Sequence, residues 1–355
     1  MESLVMSMTT FWNNKRVFLT GHTGFKGSWL ALWLHSLGAK VYGYSLSPNT
    51  SPALFEVANI APLLNGHTVA DIRDSATLSK AIAEAQPDIV FHLAAQPLVR
   101  RSYVDPIETY STNVMGTVNL LEAVRQSSQV KAVINITTDK CYENKEWIWA
   151  YREDEPMGGH DPYSSSKGCA ELVTASYRNS FYESAGIGLA TARAGNVIGG
   201  GDWSDDRLIP DFLRAIDAEQ SLKIRSPHAT RPWQHVLEPL KGYMLLAQAL
   251  YEEPQTYASA WNFGPHEQDA KEVAWIVNKL ATYMPKTQWQ IDANPQPHEA
   301  NLLKLDSSKA RQYLKWQTAW DLEIALQKIA EWHLAWHAQQ DMQAVCLAQI
   351  AAHQA

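Results

Sequence analysis

The sequence predicts an α/β protein: a doubly wound parallel sheet with a smaller C-terminal α/β domain. Two observations support this. Short apolar runs alternate with helical patterns through the first half of the 355 residues, which is typical of βαβ units with helices on both faces of a parallel sheet. Three glycines also lie between the first apolar run and a long apolar helix, and such a turn is common at the start of a βαβ series.

Five short runs are rich in the residues that favour strands. They are Arg16–Thr20, Lys40–Leu46, Asp88–Ala94, Lys131–Thr137 and Ile187–Arg193. Helical patterns lie between them, for example at Val104–Gln126 and Tyr163–Ser184. The order of these segments predicts a parallel sheet over residues 13–195.

The pattern loosens after Gly195, where loops rich in Trp, Pro, Arg and Asp alternate with short strands and helices. We therefore expect residues 196–355 to form mainly a second domain that caps the first. Segments near 236–265 are expected to return to the first domain, so the division is not one clean cut.

Composition excludes several classes of protein. The net charge of −7 argues against binding to nucleic acid or to a membrane surface. Three cysteines without a CxxC pair fit a reduced cytoplasmic protein. The N-terminal residues do not resemble a signal peptide, and no apolar run reaches the roughly 18–20 residues of a membrane span.

The glycine turn reads T-G-x-x-G-x-x-G, with Gly21, Gly24 and Gly27 after the first strand. Glycines here let a pyrophosphate approach the N–H groups at the start of the following helix. Because a strand precedes the turn and a helix follows it, the motif predicts a Rossmann-like dinucleotide site. Its cofactor-contacting residues are expected to include the following: Gly21, His22, Gly24, Phe25, Lys26, Gly27.

Two details of this predicted site depart from the usual pattern. His22 and Lys26 place polar groups at the turn, where they either contact phosphate or are solvated. The second strand is followed by no acid that would hold the ribose hydroxyls of NAD, and by no arginine for the 2′-phosphate of NADP. The choice between the two cofactors stays open, with NAD favoured. Asp71 and Ile72, after the third strand, are expected at the adenine edge.

The segment "YSSSK" places Tyr163 and Lys167 four residues apart, on one face of a helix. A free tyrosine has a pKa of about 10 and is protonated at neutral pH. A nearby ammonium group and a cationic nicotinamide both favour the phenolate, which can then accept a proton from an alcohol.

Together these motifs resemble the extended short-chain dehydrogenase/reductase family, the NAD-dependent epimerases and dehydratases. The glycine turn, "HLAAQPLV", "TNVMGTVNLLEA", "TTDKCY" and Y-x-x-x-K carry the resemblance, which covers nearly the whole chain. Longer strings, "RAGNVIGGGDW", "RPWQHVLEPL" and "WNFGP", are similar to those of sugar-nucleotide 4,6-dehydratases.

The resemblance implies roles for individual residues. Thr138 is expected to bond the reacting sugar hydroxyl, Tyr163 to act as the base and Lys167 to anchor the nicotinamide ribose. Asn113 is expected either to support Lys167 or to make a structural hydrogen bond. Further cofactor contacts are implied along the ends of the fourth and fifth strands, at Leu93, Ala94, Ala95 and Thr137.

The resemblance also implies a three-step reaction on CDP-glucose: oxidation at C4, loss of water across C5 and C6, and reduction at C6. Many such enzymes have Asp-Glu after the threonine, whereas this chain has Asp139 and Lys140. Asp139 fits a general acid if its surroundings raise its pKa. Lys140 is either a base with a lowered pKa or a cation that stabilises the enolate; we favour the base.

At the nucleotide end, Arg231 is expected to bind the diphosphate, since guanidinium forks suit phosphates. Asn196, Arg207, Leu208, Arg225 and His298 are further candidates for substrate contacts. His333 and His337 have the spacing of a metal-binding pair on a helix. No carboxylate or cysteine is evident beside them, so we expect a solvent-facing helix and no metal.

The resemblance further implies a homodimer or higher homo-oligomer, and a product used for the deoxysugars of cell-surface polysaccharide such as the O-antigen of lipopolysaccharide. Two alternatives remain open. A sugar-nucleotide 4-epimerase would share the fold, the cofactor and Thr138, Tyr163 and Lys167. A non-catalytic dinucleotide-binding regulator would share only the fold.

Overall fold

A computed structural model describes residues 8–285, 288–292 and 302–355. Seven parallel strands form the main sheet in the order β10-β6-β5-β4-β1-β2-β3. These strands are β1 (Arg16–Thr20), β2 (Lys40–Ser45), β3 (Gly66–Val69), β4 (Ile89–His92), β5 (Ala132–Ile136), β6 (Gly188–Ala194) and β10 (Ala260–Phe263). The predicted doubly wound parallel sheet is confirmed.

The remaining strands form two small sheets. One has the order β11-β9-β7 and the other pairs β12 with β8. Their bounds are β7 (Asn196–Ile198), β8 (Leu222–Ile224), β9 (Thr230–His235), β11 (Ala270–Glu272) and β12 (Trp289–Ile291).

Helices cover both faces of the main sheet and build the rest of the molecule. In chain order they are α1 (Phe25–Ser36), α2 (Leu54–Val57), α3 (Ser75–Ala85), α4 (Val99–Val104), α5 (Pro106–Tyr110), α6 (Gly116–Arg125), α7 (Pro162–Tyr177), α8 (Glu183–Ala185), α9 (Leu208–Asp217), α10 (Leu237–Glu252), α11 (Pro254–Tyr257), α12 (Val273–Tyr283), α13 (Ser308–Tyr313), α14 (Leu322–His337) and α15 (Met342–Gln354). Short 3₁₀ turns lie at Ala61–Leu63, Asp139–Cys141 and Glu267–Asp269.

The two long helical patterns of the sequence are interrupted in the structure. The first is divided among α4, α5, a π-helical turn at Ser111–Met115 and α6. The second is α7 followed by a π-helical turn at Arg178–Tyr182. A π turn shifts the helical phase by one residue, so the faces before and after it point in different directions.

The order of the strands positions the functional site. The chain runs outward from β1 through β2 to β3 and then returns to β4 on the other side of β1. Such a reversal leaves a crevice at the carboxyl ends of the central strands, where ligands bind in open α/β sheets. The glycine turn, the residues after β4 and the residues after β5 all lie at this edge.

Two segments from the second half of the chain pack with the main sheet. Strand β10 pairs with β6, and α10 contributes to the same apolar core as β5 and β6. The C-terminal helix α15 also belongs to this core, through Met342, Cys346 and Ile350 near α1. A separate apolar cluster joins α9, α12 and α14. The division at residue 195 stays a prediction.

Within the described ranges, no helix has both the length and the apolar character needed to cross a membrane.

Candidate active site

The glycine turn is shaped for close approach of the main chain. Gly21 has φ +75°, and a Cβ atom there would lie 2.7 Å from the backbone nitrogen of Ala94. A Cβ atom on Gly27 would collide with the carbonyl oxygen of Gly21. Helix α1 begins at Phe25 after Gly24, and among the described residues no side chain caps it. Its first N–H groups therefore face the crevice as anion donors.

A threonine joins the ends of β1 and β4. Thr20 Oγ1 accepts hydrogen bonds from the backbone N–H groups of Leu93 and Ala94, each at 3.1 Å, and contacts His92 Nδ1 at 2.8 Å. This places Leu93, Ala94 and Ala95 beside the glycine turn. The juxtaposition agrees with their predicted cofactor role, which stays a prediction.

The two polar side chains of the turn point in different directions. The His22 ring is buried and its Nε2 lies 2.7 Å from Nδ1 of His67, and burial lowers the pKa of His22 to about 4. Of the two alternatives for His22, a solvated ring is therefore wrong, and a contact with phosphate stays a prediction. Lys26 lies instead among charged groups of the crevice, including Arg207, Lys167 and Asp139. Burial and the two cations lower the pKa of Lys26 to about 7.

The residues predicted at the adenine edge lie just after β3. The Asp71 carboxylate accepts hydrogen bonds from Arg73, which lower its pKa, and the Asp71 carbonyl accepts one from the Tyr44 hydroxyl at 2.8 Å. Ile72 is buried against Gly116 at the start of α6. The Asp71 carboxylate is thus engaged by Arg73, and the adenine contact stays a prediction.

Helix α7 carries the tyrosine and the lysine on one face. Asp161 caps it by accepting from the Ser164 N–H at 2.9 Å. The Lys167 ammonium donates to the Ile136 carbonyl at 3.2 Å, which fixes it at the end of β5. Burial lowers the pKa of Lys167 to about 8, and the Glu171 carboxylate opposes this shift.

Tyr163 lies beside Thr138, close enough for the Thr138 hydroxyl to affect the pKa of its phenol. Burial raises the pKa of Tyr163 to about 12, while the Thr138 hydroxyl and the Arg207 charge act in the opposite direction. The protein's own groups therefore keep this phenol protonated. The predicted lowering depended also on a cationic nicotinamide, and among the protein's own groups burial dominates.

Asn113 lies in the π turn before α6 and is 2 % exposed. Its amide exchanges two hydrogen bonds with the backbone of Gln96, at 2.8 and 3.0 Å, and donates to Ser166 Oγ at 2.9 Å. Asn113 therefore ties the loop after β4 to α7 one residue before Lys167. Both of its predicted roles, structural bonding and support of Lys167, are compatible with this position.

Asp139 begins the 3₁₀ turn after β5 and is 2 % exposed. One carboxylate oxygen accepts from the Thr138 hydroxyl at 2.9 Å, while Oδ2 has no hydrogen-bond partner within the described part of the chain. Burial raises the pKa of Asp139, although the charges of Lys140, Arg231 and Lys26 oppose it. This is the environment that the sequence-based assignment of a general acid required.

Lys140 follows Asp139 and is half-buried. Its N–H lies 3.4 Å from Thr138 Oγ1, and its charge acts on Asp139. The structure therefore brings Thr138, Asp139, Lys140 and Tyr163 to one point. The two roles considered for Lys140 remain open.

The Thr137 side chain points away from the crevice. Its hydroxyl donates to Glu171, which also accepts from Thr191 and forms a buried ion pair with Arg193 at 2.8 Å. Any cofactor contact of Thr137 would therefore come from its main chain. Sequence analysis missed this network, because Glu171 lies on the helix that carries Tyr163 and Arg193 lies on β6, and no local pattern joins them.

The residues predicted at the nucleotide end fall into two groups. Arg207 and Arg231 lie near the predicted catalytic residues: Arg207 pairs with Asp202 at 3.1 Å and its charge reaches Tyr163, while that of Arg231 reaches Asp139. Arg225 instead donates to the Asp206 carbonyl at 3.0 Å.

For the other three predicted substrate contacts, the structure gives at most the element on which the residue lies. Asn196 begins β7 and pairs in register with Trp233 of β9. Leu208 begins α9 and packs against the apolar cluster of α9, α12 and α14. His298 lies outside the described residues.

The histidine pair on α14 differs from expectation. His333 is 2 % exposed, and both histidine Nε2 atoms contact Asp217 Oδ1, at 2.9 Å for His333 and 2.8 Å for His337. The predicted solvent-facing pair without a carboxylate is wrong, since Asp217 is brought in from α9, more than a hundred residues away.

The parallel sheet with a glycine turn at its reversal point, and a Thr-Tyr-Lys set at the same edge, define a dinucleotide-dependent enzyme of the short-chain dehydrogenase/reductase type. The family model described as GDP-mannose 4,6 dehydratase matches residues 18–329. The chain belongs to this family.

Individual relatives indicate which sugar-nucleotide dehydratases the chain is similar to. The chain is 58% identical over 338 residues to CDP-glucose 4,6-dehydratase of Salmonella typhimurium (strain LT2), with 94% of each chain covered. It is 25% identical to dTDP-glucose 4,6-dehydratase of Xanthomonas campestris pv. campestris, over 89% of this chain and 92% of that one.

Solved structures share the fold. UDP-glucose-4-epimerase from Stenotrophomonas maltophila, with bound NAD and formylated UDP-arabinopyranose, superposes with a TM-score of 0.80 at 19% identity, covering 92% of this chain and 99% of that chain. The dTDP-glucose 4,6-dehydratase from Bacillus anthracis in complex with NAD gives 0.73 at 19% identity, with the same coverage.

Proposed function

We propose that this protein is an NAD-dependent dehydratase that converts CDP-D-glucose to CDP-4-dehydro-6-deoxy-D-glucose. The 58% identical relative supports the substrate. The observation that carries the reaction type is Asp139, a buried carboxylic acid with a raised pKa, beside Thr138 and Tyr163. An epimerase performs no elimination and has no use for such an acid.

The crevice fits a dinucleotide. Gly21 and Gly27 leave no room for side chains, and the N-terminus of α1 offers N–H groups to a pyrophosphate. When bound, NAD would supply the acceptor for the hydride and a positive ring. Lys167, held on the Ile136 carbonyl, would bond its ribose.

The first step uses the neighbouring side chains of Thr138 and Tyr163. Thr138 positions the C4 hydroxyl of the sugar, and the Tyr163 oxygen accepts its proton as C4 becomes a ketone. Because burial alone keeps the phenol protonated, Tyr163 depends on positive charge nearby. Arg207 supplies one such charge, and its effect on the pKa of Tyr163 is in the required direction.

The second step removes water across C5 and C6. The C4 ketone acidifies the proton on C5, and we assign its removal to Lys140. Asp139 gives its proton to the C6 hydroxyl, which leaves as water. Return of the proton to C5 from Lys140, together with the hydride that the bound cofactor would give back to C6, would complete the overall loss of one water from the sugar.

At the nucleotide end we assign the diphosphate to Arg231, with Arg207 beside it. Both lie next to the catalytic residues, and planar guanidinium groups suit phosphate oxygens. Asn196, Leu208, Arg225 and His298 remain proposed substrate contacts.

The product identifies the reaction. The purified protein is incubated in D₂O with CDP-, dTDP-, UDP- and GDP-glucose separately, with and without added NAD, and the products are analysed by mass spectrometry and NMR. We expect CDP-glucose to lose one water and to gain a C4 ketone, a C6 methyl group and one solvent deuterium at C5. Inversion at C4 without a change in covalent composition would establish an epimerase. NAD binding without turnover of any sugar would establish a regulator.

Three variants separate the two roles of Lys140. Lys140→Met removes both charge and base, whereas Lys140→Arg keeps a charge that cannot deprotonate at neutral pH. If Lys140 is the base, both variants lose roughly 10²–10⁴-fold in dehydration rate. Retained activity in Lys140→Arg would show that the cation, not the base, is needed. Lys26→Met tests whether the neighbouring lysine takes the proton instead.

We propose that the protein is a homodimer in the cytoplasm. Apolar side chains are exposed on α4, α5 and α7, where Val104 is 79 %, Ile107 81 % and Leu172 62 % exposed. The apolar stripe of α6 is turned inward instead, since Leu121 and Val124 pack under the sheet. We expect Leu172→Glu with Ile107→Glu to yield a monomer in light scattering after size exclusion, and the exposed Leu334→Glu to leave the dimer intact.

A further inference from the structure

Three potential metal ligands converge between the end of α9 and the end of α14. His333 Nε2 and His337 Nε2 lie 3.2 Å apart, and each lies within 2.9 Å of the same oxygen of Asp217. The two histidines are one helical turn apart on α14, and the carboxylate comes from the last residue of α9. Among the described residues, these three form the group of His, Cys, Asp or Glu side chains whose ligand atoms are close enough together to bind a single ion.

The spacing of the three atoms matches a tetrahedral metal site. Zinc binds histidine nitrogen and carboxylate oxygen at roughly 2.0–2.2 Å, so neighbouring ligand atoms of a tetrahedral site are about 3.3 Å apart. The nitrogen–nitrogen distance of 3.2 Å already has this value. The nitrogen–oxygen distances of 2.8 and 2.9 Å reach it by a small rotation of the Asp217 carboxylate.

The surroundings both fix the ligands and leave an entry path. The His333 side chain is 3 % exposed and lies against Trp336, while the side chains of His337 and Asp217 are 49 % and 28 % exposed. Trp203 packs on Trp336 on the inner side. Two neutral imidazoles and one carboxylate, with a fourth position open to water, form a common zinc ligand set.

We propose that Asp217, His333 and His337 bind one divalent transition-metal ion of the zinc type. The ion would join α9 to α14. Helix α9 begins directly after Arg207, which faces the crevice, so the site would brace the wall of the substrate pocket from its far end. The proposal does not depend on the proposed dehydration.

Cobalt binding to the full-length chain tests the site. Protein stripped of metal by a chelator is titrated with Co²⁺, whose visible absorption reports tetrahedral coordination, and with Zn²⁺ by calorimetry. We expect one equivalent to bind and thermal unfolding to shift upward with Zn²⁺. His337→Ala and the isosteric Asp217→Asn should each weaken binding by more than the roughly 10–100-fold that removal of an outer partner costs.

A matched control guards against metal held by scattered surface histidines. His228→Ala removes an exposed histidine that contacts Glu272 at 3.2 Å, and it should leave the Zn²⁺ affinity unchanged. Equal affinity of the parent, His337→Ala and Asp217→Asn would overturn the proposal, and so would a parent protein that binds no Co²⁺. Circular dichroism of each variant shows that the fold is retained.

Discussion

Two buried carboxylates flank the end of β5, and their surroundings shift their pKa values in opposite directions. Glu171, on α7, forms an ion pair with Arg193 and accepts hydrogen bonds from Thr137 and Thr191. Asp139, just after β5, accepts from Thr138 at one oxygen, while its other oxygen has no partner in the described ranges. Both side chains are about equally buried, at 5 % and 2 % exposed.

Burial pushes both pKa values upward, and the partners decide the outcome. For Glu171 the Arg193 charge and the hydrogen bonds outweigh burial, so the pKa is lowered. For Asp139 the charges nearby do not outweigh burial, so the pKa is raised. A carboxylate with a lowered pKa and satisfied hydrogen bonds stabilises the fold, whereas one with a raised pKa can act as a general acid. The adjacent residues Thr137 and Thr138 each donate a hydrogen bond to one of the two carboxylates, Thr137 to Glu171 and Thr138 to Asp139.

The largest effect is expected for Asp139→Asn. An amide cannot deliver the proton to the C6 hydroxyl, and general acids typically contribute roughly 10²–10⁴-fold. Loss of water from CDP-glucose should fall by that factor, measured by NMR of the product. Exchange of the C5 proton with D₂O should continue, because it needs the ketone and the base only. A variant with the parent's dehydration rate would remove Asp139 from the mechanism.

Glu171→Gln is expected to lower the free energy of unfolding by roughly 3–5 kcal/mol, because it leaves the Arg193 charge buried without its partner. Chemical denaturation measures the change. Glu122→Gln is the matched control: Glu122 pairs with Arg125 at the surface, where such pairs contribute about 0–1 kcal/mol. Similar losses for the two variants would contradict the structural role of the buried pair.

The two threonines give a closer test of the comparison. Thr137→Val removes a donor to Glu171 and should cost about 1–3 kcal/mol of unfolding free energy. Thr138→Val removes the hydroxyl shared by Tyr163 and Asp139 and should lower kcat. Stability and kcat are measured on both variants. If Thr137→Val proved the more damaging to kcat at equal cofactor affinity, the assignment of the two hydroxyls would be reversed.

The smallest effect is the pH dependence of stability, and its sign differs for the two carboxylates. The raised pKa of Asp139 means that its contribution to stability is present at low pH and is lost as pH rises through the folded-state value. Asp139→Asn should therefore gain stability relative to the parent as pH rises above about 4.

The lowered pKa of Glu171 has the opposite consequence. Its contribution is present above the ordinary carboxylate pKa and is lost as pH falls through the folded-state value. The destabilisation of Glu171→Gln should thus shrink toward low pH. Denaturant unfolding from about pH 2 to about pH 8 covers both windows, since the Glu171 effect lies below the ordinary carboxylate pKa and the Asp139 effect above it. Parallel curves for the two variants would refute the distinction.

Much of the fold was predictable because local patterns specify it. The predicted strand Arg16–Thr20 matches β1 at both ends, and the strand predicted at Lys40–Leu46 runs one residue past β2. The strands predicted for β4 and β5 are one or two residues too long at both ends, and the one predicted for β6 begins and ends one residue early. The interruption of the long helical patterns was not predicted. Asn113, within the π turn at Ser111–Met115, contacts Gln96 and Ser166, and no local pattern indicates these partners.

The candidate site was predictable where chain neighbours or helical neighbours make it. The glycine turn follows a strand, Tyr163 and Lys167 are one helical turn apart, and Thr138 to Lys140 are consecutive. The partners of single side chains were not predictable from the sequence. The inward His22 ring, the Thr137 bond to Glu171 and the position of Lys26 near Asp139 all depend on residues distant in sequence.

The sequence by itself determined the alternation of strands and helices in the first half of the chain, the glycine turn at the end of β1, and the local groupings of Tyr163 with Lys167 and of Thr138 with Asp139. Only the tertiary structure decided that the pKa of Asp139 is raised while that of Glu171 is lowered, and that Asp217 joins His333 and His337. The physical reason is that desolvation and ion pairing depend on the atoms that surround a group in space. Those atoms come from segments that no local pattern connects.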